Sequence, residues 1–505
     1  MPDSSNERAN RRVKIVCTLG PASETPEKIQ GLIDAGMNVA RLNFSHGTAA
    51  FHRGLCTRVR EGAKRAGRNV AVMQDLQGPK IRVGVLPKGG VTFKAGDTLR
   101  LYPESSEGGA EKSAPPAAQG GEILVPLPVD LAGPISKAVK KGARILFDDG
   151  LIATRVAKTS GMEIFLEVEQ GGKLTSNKGM NLPGSPLPIP SCTEKDLRDL
   201  KEGLAMGVDA VALSFVRSYK DVEFVQDQIR KNSNHRPLVI SKVEREEAVD
   251  SFESVIEVSD GILIARGDMA VEIGPDRVPV VQKQLIYACN ELGVPIITAT
   301  QMLESMVNSP TPTRAEASDV ANAVFDGTDA VMLSAETASG QFPAETVRIM
   351  DQIIRGAEGS SYGNVKAHKI QPLKGSIVDS IQFSAARIAQ HVNATAIVAI
   401  THSGTAARTL AKYRPETPII ALMDNENSLA KLAFSWGVEG VLIPEILSTD
   451  DLFQMIERVL LEHKLARNED YVVVTAGIPS LRRGTTNMVK VHCIGAVIER
   501  ASRKI

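Results

Sequence analysis

The chain has 505 residues, 43% of them apolar and 23% charged, and its 59 basic side chains balance its 59 acidic ones. This length exceeds what a single hydrophobic core supports, so the sequence predicts two to four domains. The charge balance argues against a nucleic-acid partner, and no apolar run approaches the ~18 residues of a membrane span. The five cysteines are scattered, and the polar N-terminus lacks the apolar core of a signal peptide. Together these features favour a reduced, cytoplasmic protein without disulfides or zinc.

Eight short apolar runs of strand length alternate with charge-rich stretches of helical length. The runs are residues 13–19, 39–45, 69–76, 209–215, 238–244, 260–268, 294–301 and 329–337. Buried strands that alternate with helices in this way predict a (β/α)8 TIM barrel. The active site of such a barrel lies at the C-terminal ends of its strands. Polar side chains gather at those ends in this chain: Arg41, Asn43, Ser45, Asp75, Lys242, Glu244, Arg266, Asp268, Thr300, Gln301 and Glu336.

The barrel pattern is interrupted once and then ends. Between about 84 and 183, strand-like segments rich in Pro and Gly replace the helices, which predicts a β-barrel-like domain inserted above the barrel mouth as a lid. Within it, 103–121 is of low complexity and predicts a mobile segment. After a second break near 355–375, alternating apolar runs predict an open α/β domain. The predicted units are an N-terminal tail (1–12), the barrel (13–83 and 184–354), the lid (84–183) and a C-terminal α/β regulatory domain (370–505).

The most informative strand is L-V-I-S-K-V-E at 238–244. Side chains at positions i and i+2 of a strand point the same way, so Lys242 and Glu244 are directed to one place. Charges are rarely buried unless they are paired or bind a metal. From this strand alone, a structural ion pair and a functional site are equally good interpretations.

Six motifs, one of them from this same strand, favour the functional interpretation. They are R-L-N-F-S-H (41–46), D-L-Q-G-P-K-I-R (75–82), S-K-V-E (241–244), A-R-G-D (265–268), T-Q-M-L-E-S-M (300–306) and P-T-R-A-E-A-S-D-V-A-N-A-V (312–324). In this order, and with T-L-G-P-A-S at 18–23, they closely resemble the pyruvate kinase family over nearly the whole chain. The resemblance implies phosphoryl transfer from phosphoenolpyruvate to ADP, giving pyruvate and ATP. It also implies a homotetramer.

The resemblance implies a role for each polar residue of the barrel ends. Glu244 and Asp268 would hold Mg²⁺ or Mn²⁺, for which carboxylate oxygens are suitable ligands. Lys242 would stabilise the transferring phosphoryl group and the enolate. Thr300 would assist protonation of the enolate. Further contacts to the substrate would come from Arg41, Arg82 and Gly267.

The D-L-Q-G-P-K-I-R segment departs from the commonest family form, D-T-K-G-P-E-I-R. Leu76 and Gln77 replace Thr and Lys, and Lys80 replaces Glu. In the common form a potassium ion lies near residues matching Asn43, Ser45 and Asp75. An ammonium group can take the place of a monovalent cation, so we expect Lys80 to remove the requirement for K⁺.

Nucleotide and effector sites are predicted less directly. The chain has neither a dinucleotide fingerprint nor a P-loop, and the resemblance places the nucleotide near Pro21, Arg41, His46 and Lys178. The segment T-H-S-G-T-A-A-R (401–408) could form a phosphate-binding nest, or it could be an ordinary helix cap. We expect a phosphorylated effector, such as a sugar phosphate or nucleoside monophosphate, at this loop. Its predicted contacts are Thr401, Ser403, Gly404, Thr405, Arg482 and Arg483, with Thr485 as a further candidate.

Two alternative functions remain at this point. A metal-dependent aldolase or lyase acting on enolpyruvate would also place Glu and Asp around a metal. It would not need the lid, Lys178 or the segment from Lys80 to Arg82. A non-catalytic, effector-sensing relic would predict loss of Lys242, Glu244 or Asp268, and all three are present.

Overall fold

The computed structural model describes residues 11–104, 122–185, 189–362, 370–444, 449–478 and 486–495. Most of the predicted N-terminal tail and of the low-complexity segment lies outside these residues, as do Arg482, Arg483 and Thr485. Among the helices within the described ranges, none has the length and apolar character needed to cross a membrane.

The chain begins with three strands and two helices of a barrel. They are β1 (Lys14–Leu19), α1 (Pro26–Ala35), β2 (Val39–Asn43), α2 (Ala49–Ala66) and β3 (Ala71–Asp75). Local sequence signals set the helix limits. Thr48 caps α2 by accepting a hydrogen bond from the Phe51 amide, and α2 ends at Gly67, whose φ of 60° is left-handed and costs a glycine little.

An inserted β unit follows β3. Its elements are β4 (Val91–Phe93), β5 (Thr98–Glu104), β6 (Ile123–Pro128), α3 (Val129–Ala138), β7 (Arg144–Phe147), β8 (Ile152–Ser160), β9 (Glu163–Gln170), β10 (Gly172–Leu174) and β11 (Met180–Asn181). Six of the strands form a sheet in the order β11-β7-β8-β9-β5-β6, and β10 pairs with β4. We call this unit the lid. At its neck, the amide of Met180 donates to the carbonyl oxygen of Ile81 at 2.9 Å, and the amide of Val83 donates to that of Lys178 at 3.0 Å.

The barrel resumes after the lid. Its elements are α4 (Glu194–Met206), β12 (Ala210–Leu213), α5 (Tyr219–Asn232), β13 (Leu238–Val243), α6 (Glu246–Asp250), α7 (Phe252–Val258), β14 (Gly261–Ala265), α8 (Arg266–Ile273), α9 (Val278–Leu292), β15 (Ile296–Ala299), the 3₁₀ helix Glu304–Val307, α10 (Arg314–Asp326), β16 (Ala330–Leu333), α11 (Ala335–Ala338) and α12 (Pro343–Glu358).

The eight strands close into one parallel barrel, in the order β1-β16-β15-β14-β13-β12-β3-β2. This confirms the predicted barrel, and each predicted run contains one of its strands. The strands are shorter than the runs, however. Residues 266–268 ended a predicted run, but β14 ends at Ala265, and Arg266 and Asp268 lie in the first turn of α8.

The C-terminal unit is an open α/β sheet, as predicted. Its elements are α13 (Ile377–His391), β17 (Ala396–Ile400), α14 (Thr405–Ala411), β18 (Ile419–Met423), α15 (Glu426–Leu429), the 3₁₀ helix Ala430–Phe434, β19 (Val438–Leu442), α16 (Thr449–Glu462), β20 (Tyr471–Ala476) and β21 (Met488–Cys493). The strand order is β19-β18-β17-β20-β21, with β21 antiparallel to β20. The residue boundaries drawn between the three domains stay predictions.

The N-terminal end of the barrel rests on this C-terminal unit. Arg414 and Asp329 form a buried ion pair across the contact, 2.8 Å from Nη1 to Oδ1. The guanidinium groups of Arg12 and Arg414 each lie over the Trp436 ring, at 5.3 and 5.0 Å from its centroid. Removing one member of a buried pair is costly because it leaves the other charge uncompensated, so these contacts fix how the two units meet.

Candidate active site

Three charged side chains meet at the C-terminal end of the barrel, on β13 and β3. Lys242 Nζ lies 2.8 Å from Glu244 Oε1 and 3.4 Å from Asp75 Oδ1. It also donates to the Ser214 hydroxyl at 2.8 Å. The i, i+2 argument therefore predicted the shared direction of Lys242 and Glu244, and the barrel adds Asp75 from a strand distant in sequence.

Arg41 joins this cluster from β2. Its Nε lies 2.6 Å from Asp75 Oδ2, and its Nη1 donates to the Thr18 hydroxyl at 2.9 Å. Burial alone would raise the pKa of Asp75, but Lys242 and Arg41 outweigh it and hold the pKa below its usual value. Asp75 is therefore a carboxylate that positions two cations.

The same balance fixes the protonation state of Lys242. Burial would lower its pKa, but the facing carboxylates of Asp75 and Glu244 outweigh that effect and raise the pKa above its ordinary value. The ammonium group is thus charged at any physiological pH. In this form it can stabilise negative charge.

Glu244 and Asp268 form the candidate metal site. Burial raises the pKa of Glu244 against the opposing charge of Lys242, and the nearby charge of Asp268 raises it further. Two carboxylates that repel each other in this way suit a divalent cation, whose preferred ligands are hard oxygen atoms. Asp268 remains 28% exposed, so it can meet both a cation and a ligand from solvent. Within the described residues there is no cluster of three or more His, Cys, Asp or Glu side chains able to hold a metal.

Thr300 and Gln301 follow β15 in an uncommon backbone conformation, with φ values of 68° and 53°. The Thr300 hydroxyl donates to the carbonyl oxygen of Ala299 at 2.6 Å and accepts from the amide of Gly267 at 2.9 Å. The Arg266 guanidinium donates to the Thr300 carbonyl at 2.6 Å and pairs with Asp319 at 2.8 Å. Because left-handed φ values cost energy in residues other than glycine, these contacts hold Thr300 in place.

Sequence reasoning placed Arg266 among the polar side chains at the strand ends without giving it this role. It did not predict Ser214 or Phe215 as residues of the site. The Phe215 amide donates to Glu244 Oε2 at 2.7 Å, and Phe215 itself has a left-handed φ of 54°. No motif marks either residue, and both lie after β12 at the end of the predicted run 209–215. Only the position at a strand end could have indicated them.

The residues of the predicted cation site lie close to the cluster. Asn43 Oδ1 accepts from the Ser45 amide at 3.1 Å, while the Leu76 side chain is buried in the apolar layer outside the barrel. Lys80 Nζ lies 3.9 Å from Asp268 Oδ1 and 3.9 Å from Asp149 Oδ1 of the lid. The ammonium group thus lies between the lid and the candidate metal ligand.

The predicted nucleotide residues lie around the lid neck and the barrel rim. Pro21 and His46 are exposed. Lys178 Nζ pairs with Asp148 Oδ1 at 2.7 Å, and Arg82 donates to the carbonyl oxygen of Asn177 at 2.9 Å. Arg82 and Lys178 therefore both belong to the neck, where a shift of the lid would move them.

The 401–405 loop joins β17 to α14 in the C-terminal unit. The Gly404 amide donates to the Thr401 hydroxyl at 3.0 Å, and Gly404 has a left-handed φ of 82°. The hydroxyl oxygens of Ser403 and Thr405 are 3.0 Å apart. The structure thus brings these four predicted residues together, far in sequence from the barrel cluster.

Fold and site together define a class of protein: a lidded (β/α)8-barrel enzyme whose carboxylates and cations are arranged for phosphoryl transfer with a divalent metal. Residues 10–347 match the family model described as pyruvate kinase, barrel domain, and residues 379–492 match pyruvate kinase, alpha/beta domain.

Individual relatives agree with these matches. A pyruvate kinase of Staphylococcus saprophyticus is 42% identical over 489 residues, which are 96% of this chain and 81% of that protein. One of Geobacillus stearothermophilus is 42% identical over 494 residues, 97% of this chain and 81% of that protein. The crystal structure of a pyruvate kinase from Cryptosporidium parvum superimposes with a TM-score of 0.87 at 35% identity, covering 98% of both chains.

The chain belongs to the pyruvate kinase family. It is an enzyme that transfers a phosphoryl group from phosphoenolpyruvate to ADP in a reaction that depends on a divalent metal. Neither an aldolase or lyase nor a non-catalytic relic describes it.

Proposed function

We propose that Lys242, Glu244, Asp268 and Thr300 are the core of the catalytic site. The observation that carries this assignment is the convergence of Lys242, Glu244 and Asp75 within 3.4 Å at the barrel mouth, with Asp268 beside Glu244. Phosphoryl transfer needs positioning and charge neutralisation more than covalent chemistry, and this cluster provides both.

Glu244 and Asp268 would hold Mg²⁺ or Mn²⁺, with other ligands from water and substrate. When bound, the cation would neutralise the substrate carboxylate and the developing enolate oxygen. The Phe215 amide fixes Glu244 Oε2, so the carboxylate is oriented before any ligand arrives. A backbone donor to a ligand carboxylate is the kind of outer contact that tunes a metal site.

Lys242 and Arg41 would stabilise charge on the phosphoryl group. Lys242 is held in its charged form by Asp75 and Glu244 and lies among strand ends, so it provides a preorganised positive charge. Asp75 holds both cations and therefore sets the distance between them. Arg41 is held through Nε and Nη1, which leaves the Nη2 edge of its guanidinium for a phosphoryl oxygen. Arg82, at the lid neck, would contribute when the lid closes.

Thr300 would position the water that protonates the enolate carbon. Its hydroxyl is oriented by the Gly267 amide and the Ala299 carbonyl, and its backbone by Arg266. Asp268 lies in the first turn of α8, where backbone amides favour a carboxylate, and the neighbouring Gly267 amide donates to the Thr300 hydroxyl. These features support binding of the substrate carboxylate between α8 and Thr300.

The remaining predictions belong to the same proposal. Nucleotide would bind between barrel and lid near Pro21, His46 and Lys178, and a phosphorylated effector at 401–405. Lys80 would supply the charge that K⁺ supplies at the site of Asn43, Ser45 and Asp75 in the common family form, from a position 3.9 Å from Asp268. The active form would be a cytoplasmic homotetramer, a proposal that rests on family membership.

The test of the catalytic assignment is phosphoenolpyruvate-dependent formation of ATP from ADP, compared between wild type, Lys242→Met and Lys201→Met. Lys201 is exposed on α4 and serves as the matched control. Loss of a preorganised charge predicts a fall in kcat of at least about 10²-fold for Lys242→Met and no change for the control. A Lys242→Met enzyme that folds and turns over at the wild-type rate would contradict the assignment.

A further inference from the structure

The interior of the barrel is closed from below by a residue of the C-terminal unit. Phe434, at the end of the 3₁₀ helix Ala430–Phe434, is 1% exposed and packs in the same apolar cluster as the inward-facing side chains of the barrel strands. The helix lies against β3. The lowest layer of the barrel interior, which we call the barrel floor, is therefore completed by Phe434 of the C-terminal unit.

Two barrel strands carry a column of inward-facing side chains that begins at the barrel floor and ends in the catalytic cluster. Alternate side chains of a strand share one face, so β13 carries Leu238, Ile240 and Lys242 in one inward column. Leu238 and Ile240 belong to the cluster of Phe434. With a rise of ~3.3 Å per residue, Lys242 lies about 13 Å along β13 from Leu238.

The second column is on β3. Ala71 and Met73 belong to the same apolar cluster, and Asp75 is the next side chain on that face. Protein interiors are close-packed, so a change of volume at the floor is transmitted to neighbouring layers. Phe434 therefore supports both partners of the Lys242–Asp75 contact.

The 3₁₀ helix is held at both ends. Lys431 Nζ donates at 2.5 Å to the carbonyl oxygen of Arg236, two residues before β13 begins. On the other side, the Trp436 amide donates to Asp329 Oδ1 at 3.2 Å, just before β16. Phe434 is thus fixed relative to the barrel strands.

We propose that Phe434 is a positioning residue for the barrel active site, which it supports through the columns of β13 and β3. This proposal rests on the catalytic cluster proposed above.

The test compares Phe434→Ala and Phe434→Leu with Leu460→Ala. Leu460 is fully buried in an apolar cluster of the C-terminal unit that does not include Phe434. Its truncation therefore destabilises that unit without changing the barrel floor. At a temperature where each variant is folded, we expect kcat to fall at least about 10-fold for Phe434→Ala, because small displacements of reacting groups are costly. The KM for ADP should stay within about 3-fold, and Phe434→Leu should restore most of kcat because it refills the floor.

A purely structural role would lower the thermal midpoint of Phe434→Ala and Leu460→Ala alike and leave both kcat values unchanged, which would overturn the proposal. If Phe434→Ala does not fold, Phe434→Val and Phe434→Leu replace it. Their kcat values should then decrease with side-chain volume, from wild type to Leu to Val. If both variants had the wild-type kcat, the proposal would be overturned.

Discussion

The Arg266 guanidinium donates to the carbonyl oxygen of Thr300 at 2.6 Å and so holds a residue whose φ is 68°. The following residue, Gln301, is also left-handed, at 53°. Each such residue costs about 1–3 kcal/mol and persists only where the surroundings fix it. Arg266 thus stabilises the strained backbone of Thr300 at the candidate proton-transfer position.

Replacing Arg266 by Lys should relax that turn. Lysine cannot reproduce the several simultaneous contacts of the guanidinium fork. We expect kcat to fall about 10- to 100-fold, because the Thr300 hydroxyl would lose its place. Steady-state kinetics measures this, with Arg348→Lys on the exposed side of α12 as the control. Equal kcat values for the two variants would contradict the role given to Arg266.

Asp268→Asn should weaken binding of the divalent metal. The amide keeps the shape of the side chain but removes the charge that completes the site with Glu244. We expect the Kd for Mn²⁺ to rise at least about 10-fold, measured by electron paramagnetic resonance of free Mn²⁺. Asp276→Asn, an exposed carboxylate beyond α8, is the matched control. An unchanged Kd for Asp268→Asn would remove Asp268 from the metal site.

Lys80→Glu should create a need for potassium. The substitution puts a third carboxylate beside Asp268 and Asp149, both 3.9 Å from the present ammonium group, and a monovalent cation would then be needed to offset it. Activity is compared in KCl and in tetramethylammonium chloride at equal ionic strength. We expect wild type to be equally active in both and Lys80→Glu to be active only in KCl. Lys88→Glu on the lid makes the same charge change away from the site. A wild-type enzyme that requires K⁺ would show that Lys80 does not replace the ion.

Lys14 gives the barrel floor a dependence on pH. Burial, with a smaller effect from Arg11, lowers the pKa of Lys14 from 10.5 to about 8, although Nζ donates to the carbonyl oxygen of Val438 at 2.9 Å. Between these two values the unfolded chain binds more protons than the folded one, so the contribution of Lys14 to the free energy of unfolding rises as pH rises from about 8 to 10.5. Below about pH 8 Lys14 is charged in both the folded and the unfolded chain, so the cost of burying its charge lowers the free energy of unfolding by its full amount.

We therefore expect Lys14→Met to raise the thermal midpoint relative to wild type at pH 7, and this advantage to shrink as pH approaches 10. Differential scanning fluorimetry across this range measures it. Lys28→Met, an exposed substitution on α1, should show no such trend. A difference between Lys14→Met and wild type that is constant with pH would contradict the lowered pKa.

The barrel and the open C-terminal sheet could be predicted because their strands are apolar runs bounded by capped helices. Thr313 and Glu316 form a capping box at the start of α10, and Gly327 ends it, all visible in the sequence. The Lys242–Glu244 pair followed from strand periodicity. Asp75 as their shared partner did not, because the closing of a barrel brings β3 and β13 together without any local signal.

Other features depend on geometry that composition does not encode. Phe215 contributes a backbone amide to Glu244, so its side-chain type carries no information about that role. Phe434 looked like one more apolar residue of the C-terminal unit. Only the three-dimensional arrangement shows that it belongs to the interior of the barrel. Backbone donors and contacts between units are therefore the parts of the site that sequence reasoning leaves out.

The neck of the lid has a consequence for how the chain can be divided. The two crossing segments are paired, with Arg82 bridged to Gly179 between the Ile81–Met180 and Val83–Lys178 hydrogen bonds. The ends of the insertion are thus only one strand spacing apart, about 5 Å. A short turn could join residue 82 directly to residue 179 without stretching the barrel. Such an excised chain would keep all eight barrel strands and would separate what the barrel does alone from what it does when covered.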